Sequence, residues 1–146
     1  MAVTYTNNWA NILKALKSKI MAEMKCPVYS DWYDEVKGNQ FISVIPIGSE
    51  QGDVTKNSEH RTFNMEVRYY FLNRNNKQFQ NYVLNQVSIL EALVHDNPTL
   101  SLADSTTAYN VMIGDLELNI ESDNEEHEDY FIVGWDLSCE HLSNLG

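Results

Sequence analysis

"TFNMEVRYYFL", residues 62–72, alternates in character from one residue to the next. Phe63, Met65, Val67, Tyr69 and Phe71 occupy one parity, and Thr62, Asn64, Glu66, Arg68 and Tyr70 occupy the other. Successive side chains of a strand point to opposite faces, so this alternation predicts a strand with one apolar face. Such a face needs a second layer to cover it. Residues on either side must supply that layer and the neighbouring strands.

Upstream, "QFISVIPI" (40–47) is apolar and β-branched at both parities, as expected for a strand covered on two sides. Pro46 has no amide donor and places that end at a sheet edge or strand end. "PVYSDWY" (27–33) is a shorter strand candidate, followed by turn chemistry in "DEVKGN". The polar stretch "GSEQGDVTKNSEHR" (48–61) reads as a long loop, of a length usually reserved for functional segments. It is a candidate arm for contacting a neighbour.

The covering layer comes from two helical patterns. Trp9, Ile12, Leu13, Leu16 and Ile20 share one face of an opening helix, with Asn7 or Asn8 to cap it. Lys14, Lys17 and Lys25 point away from that face, and Pro27 ends the helix. A second helix is expected over 77–95, where Phe79, Tyr82, Val83, Gln86, Val87, Leu90, Leu93 and Val94 recur at helical spacing before "HDNP". Residues 97–108 lack a period and read as a loop.

Two strands close the chain. In "YNVMIGDLELNIE" (109–121) the apolar parity switches after Ile113, which predicts a bulge at Gly114–Asp115. "YFIVGWDLSCEH" (130–141) puts Phe131, Val133, Trp135, Leu137 and Cys139 on one face. Between them, residues 121–129 carry Glu121, Asp123, Glu125, Glu126, Glu128 and Asp129, the expected tip of a hairpin. Pairing 121 with 130 would set Asp115 near Asp136, a like-charge contact that favours a solvated or partner-facing surface over a catalytic cleft. The order α-β-β-β-α-β-β predicts a single α+β domain over residues 1–146, a largely antiparallel sheet with both helices on one face.

Composition narrows the function classes. The 146 residues are 43% hydrophobic, without an apolar run long enough to span a bilayer. No export signal is visible in the opening residues. Cys26 and Cys139 do not form a disulfide framework and read as core thiols of an intracellular product. Charge is uneven: the first 25 residues hold four lysines against Glu23, whereas residues 103–146 hold eleven carboxylates and no Lys or Arg. That balance, with a net charge of −11, argues against binding a phosphate backbone, which requires clustered cations.

Chemical motifs are weak. The acidic run lacks the central Gly and following helix of an EF-hand. His60, His95, His127 and His141 are dispersed, and no CxxC accompanies them. "IGSEQG" has neither the spacing of a nucleophile elbow nor the Lys-Ser/Thr of a P-loop. Tyr69, Tyr70 and Phe71 lack the surrounding cations of a base-stacking platform. Catalytic, cofactor and metal residues are therefore assigned to none of these. An enzyme or small-ligand binder would need a pocket between sheet and helices, ringed by groups such as His60, Glu66 or Tyr70.

In layout the chain resembles the tail-terminator (tail-completion) proteins of long-tailed bacteriophages, and neck proteins of the same virion region share that texture. The resemblance runs through "NNWANILKALKSKI", "QFISVIPI", "TFNMEVRYYFL", "NYVLNQVSILEAL" and "YFIVGWDLSCEH". It implies a virion protein that closes as a homo-oligomeric ring, commonly a hexamer, on the end of a tail tube. There it stops tube growth and docks to the head–tail connector. DNA passes through such a ring without sequence-specific contact, and no enzyme activity, cofactor or membrane is involved. Head-to-tail rings use two different complementary patches per subunit. Lys14, Lys17 and Lys25 on one side and the 121–129 carboxylates on the other would supply opposite signs. Alternatively, those acids would line the channel and repel DNA.

Overall fold

The computed structural model describes residues 5–30, 38–72, 77–120 and 129–144. Along the chain run α1 (Asn8–Met24), β1 (Val28–Tyr29), β2 (Gln40–Val54), β3 (Ser58–Leu72), α2 (Phe79–Asp96), β4 (Leu100–Ser101), β5 (Thr107–Leu118) and β6 (Tyr130–Asn144). The strands form one sheet in the order β1-β2-β3-β6-β5-β4. Only the β1–β2 pair is parallel; the other pairs are antiparallel. The α+β class and the expected element order hold, with β4 as a short addition.

β3 behaves as its alternation requires. Its odd residues Phe63, Met65, Val67, Tyr69 and Phe71 are buried together with Val133, Trp135, Leu137 and Cys139 of β6. Ile12, Leu16, Ile20 and Met24 of α1 and Val83, Val87, Leu90 and Val94 of α2 close the same core. Both helices thus cover one face. Asn7 caps α1 by accepting from the Ala10 amide at 3.0 Å, while Asn8 donates to Ser143 Oγ at 2.9 Å. Lys25 ends the helix at φ 56°, its amide returning to the Met21 carbonyl, just before Pro27. Trp9 meets Phe63 edge-on at 4.9 Å between ring centroids, pinning the start of α1 to the sheet.

Residues 48–61 are not a loop. β2 and β3 continue as a hairpin whose arm closes at Thr55–Ser58, with Thr55 N to Ser58 O at 2.8 Å and Ser58 N to Thr55 Oγ1 at 3.1 Å. Residues 51–57 are exposed throughout, so no apolar alternation marked the strands. Backbone pairing specifies them, with Arg61 donating to Ser49 Oγ across the hairpin at 3.0 Å. β3 is paired with β6 over fifteen consecutive positions, from Ser58–Asn144 to Leu72–Tyr130. The expected loop over 97–108 likewise contains β4 and a tight turn, with Leu102 N to Thr106 O at 2.9 Å and Ser105 at φ 69°.

β5 and β6 pair antiparallel in the expected register near the chain reversal, with Leu118 opposite Val133 and Leu116 opposite Trp135. The bulge at Gly114–Asp115 is present, and a second interrupts β5 between Tyr109 and Met112. Of the segment read as a hairpin tip, only Asp129 is among the described residues.

Candidate functional site

The even residues of β3 look away from the helices. At one end Phe41, Tyr70 and Ile132 form a small second cluster, with Phe41 and Tyr70 stacked at 4.4 Å. In the middle Arg68 Nε donates to Glu66 Oε1 at 2.7 Å. On the arm, His60 Nε2 lies 2.7 Å from Glu140 Oε1, and Asn110 donates to the other oxygen of Glu140. These bonds, the one from Asn110 foremost, hold the Glu140 carboxyl below its ordinary range. A Cβ on Gly52 would sit 2.1 Å from His60 Nδ1, so only glycine lets the imidazole lie over the arm. His60 and Tyr70 are ten residues apart on one strand, roughly 33 Å. Together with Glu66, they lie on the opposite face from the helices. They cannot ring a pocket between sheet and helices.

Two buried polar groups are structural. Tyr69 Oη accepts from Gln40 Nε2 at 2.7 Å and donates to Gln86 Oε1 at 3.2 Å, while Tyr82 donates to Gln40 Oε1 at 2.7 Å. This network ties α2 to β2 and β3, and burial pushes the Tyr69 phenol well above its ordinary range. His141 is buried between the turn before β5 and the start of α1. Thr106 donates its amide and hydroxyl protons to Asp104 Oδ1 at 3.1 and 2.5 Å. Its oxygen must therefore accept from His141 Nε2–H, 2.8 Å away. His141 Nδ1 then accepts from Ser143 Oγ at 3.0 Å. The ring is neutral and saturated, and burial lowers its pKa against the weaker pull of Asp104.

The thiols are not reactive-site thiols. Cys139 is buried, and its pKa is pushed up to about 12 by burial, with the Glu140 charge adding to it. Cys26 is half-buried and raised for the same first reason.

The charged residues separate by position. Lys14 and Lys19 line an open groove of about 660 Å³ between α1 and residues 97–103. Lys17 is half-buried outside that groove, and Lys25 is exposed at the end of α1. Sequence periodicity marked Lys14 but not Lys19 as a site residue, because the groove's second wall comes from a distant segment. Asp115, Glu117 and Asp136 are exposed on β5 and β6, with Asp136 facing the Gly114–Asp115 bulge. Asp129 is exposed at the start of β6; Glu121, Asp123, Glu125, Glu126 and Glu128 lie outside the described residues. Among the described residues, no three His, Cys, Asp or Glu side chains gather as a metal site. No helix among them is long and apolar enough to cross a membrane.

What remains is a layered domain with a hairpin arm, bulged outer strands and a groove that carries two lysines. The cryo-EM structure of the sheath/tube terminator of the PVC extracellular contractile injection system, in its extended state, superposes on 98% of this chain with a TM-score of 0.60 at 10% identity. The two chains share a fold. The chain spans 58% of that terminator's length. A second solved structure, 12% identical, matches 91% of this chain and 92% of its own with a TM-score of 0.57. No family model and no curated protein sequence matches the chain.

Proposed function

We propose that the protein is a structural tail terminator of a phage virion. It closes as a ring of about six copies on the head-proximal end of a tail tube, stops tube growth and presents the surface that joins the head connector. The observation that carries this reading is the fold shared with a sheath/tube terminator along nearly the whole chain. Its partners are then further copies of itself, the tube protein and the connector. DNA passes through the ring without sequence-specific contact, a role that suits a net charge of −11. The role is structural and calls for no catalysis or cofactor.

The β2–β3 arm supplies a contact surface in this reading. It is a polar hairpin paired with β6; its Val54 is exposed, as is Leu142 on the adjoining end of β6. The test is tube length. Tails assembled without the protein should grow overlong tubes by electron microscopy, and purified protein should appear as a cap on tube ends. Tubes of normal length in its absence would refute the reading. Deleting residues 50–58 should abolish capping while leaving the monomer folded.

A further inference from the structure

We infer that the groove between α1 and residues 97–103 is the receptor for the acid-rich 121–129 segment of a second copy of this chain. The inference rests on the ring reading above and specifies which surfaces close the ring. Asn11, Lys14, Ser18 and Lys19 form the helix wall of the groove, facing Thr99 and Ser101. Its lining carries two ammonium groups, no carboxylate, and hydroxyl or amide groups on both walls. That chemistry fits a carboxylate-bearing peptide. The chain offers one: six carboxylates within residues 121–129, with no Lys or Arg anywhere from 103 to 146.

The same molecule cannot fill its own groove. Residues 97–103 adjoin the Thr107 end of β5, through the Ser101–Thr107 pair, whereas the acidic segment departs beyond the Leu118 end. Those ends are roughly 35 Å apart at the rise of a strand. Tethered to Ile120 and Asp129, a chain of that length strays no more than about 16 Å from its anchors. A groove whose one wall adjoins the Thr107 end of β5 and a segment that leaves from its Leu118 end are partners between subunits placed head to tail rather than within one. Such a contact is heterologous, the kind that closes rings.

Charge reversal tests it. The variant Lys14→Glu/Lys19→Glu and the variant Glu125→Lys/Glu126→Lys/Asp129→Lys should each assemble about tenfold or more weakly than the unmodified chain, by light scattering at low salt and by capping of purified tubes. Mixed together they should restore ring mass, because each variant's groove then matches the other's acidic segment. The neutral variant Lys14→Gln/Lys19→Gln serves as a second test, with unchanged melting temperature as the folding control. Rings that persist in either lysine variant, or acid variants that assemble normally, would overturn the inference while leaving the ring reading intact. An unmodified chain that stays monomeric and leaves tubes uncapped would overturn both.

Discussion

The two faces of β3 share one backbone and one hydrogen-bonded ladder but follow different rules. On the odd face, Phe63 to Phe71 are buried under α1 and α2 and join a continuous core. On the even face, His60, Thr62, Asn64, Glu66 and Arg68 are only half-covered, with Arg68 bonded to Glu66 and His60 to Glu140 of β6. The outer strands differ again. The β3–β6 ladder runs without a shift, whereas β2 shifts register at Pro46–Gly48 and at Gln51–Val54, and β5 shifts twice. Bulges on outer strands discourage indiscriminate edge-to-edge pairing, so regularity in the centre holds the fold and irregularity outside governs what may join it. Stability should reside in the covered face, and assembly on the arm, the bulged strands and the outer surface of α1.

The largest effect should come from the covered face. Trp135→Ala empties the middle of the core and should cost about 3–5 kcal/mol in urea unfolding. A cost below about 1 kcal/mol would mean that the covered face does not hold the fold. Phe41→Ala removes the stacked partner of Tyr70 from the small cluster on the other face, and its cost should fall at or below about 3 kcal/mol. A loss matching Trp135→Ala would show that the outward face carries a second full core.

His141 makes part of this stability depend on pH. Its folded pKa is lowered, so the unfolded chain takes up the proton first and stability falls as pH drops below about 6.5. The stabilisation is complete above that value and is lost progressively toward the lowered folded pKa. Melting temperatures of the unmodified chain and His141→Gln between pH 5 and 8 should therefore converge as pH falls. Parallel curves would show that the ring is protonated without penalty. The smallest effect should be Gly52→Ala on the arm. The methyl group displaces the His60 ring and breaks its bond to Glu140, at a cost of about 1 kcal/mol with no change in the core. Hydrogen exchange should quicken at residues 50–60 alone. Quickening in α2 would show that arm and core are one cooperative unit.

The legible elements were those where a layer covers one side. The period of β3, the faces of both helices, the β5–β6 register and the Gly114–Asp115 bulge are all written in apolar spacing. Residues 48–61 and 97–108 were misread because their strands expose both faces or last only two residues. Pairing there is set by backbone hydrogen bonds that leave no side-chain signature. The groove was half legible. Lys14 stands out on a helical wheel, but Lys19 joins it only because residues 97–103 pack alongside α1.

Sequence alone determined the α+β class, the buried parity of β3 and β6, the two covering helices and the separation of lysines from carboxylates along the chain. Those are local periodicities and charges, and they survive without knowledge of what lies next to what. Tertiary structure decided that the polar stretch is a paired hairpin arm, that His60, Glu66 and Tyr70 share no cleft, and that Lys14 and Lys19 line one groove with residues 97–103. Each depends on which distant residues become neighbours, and a local period records nothing of that.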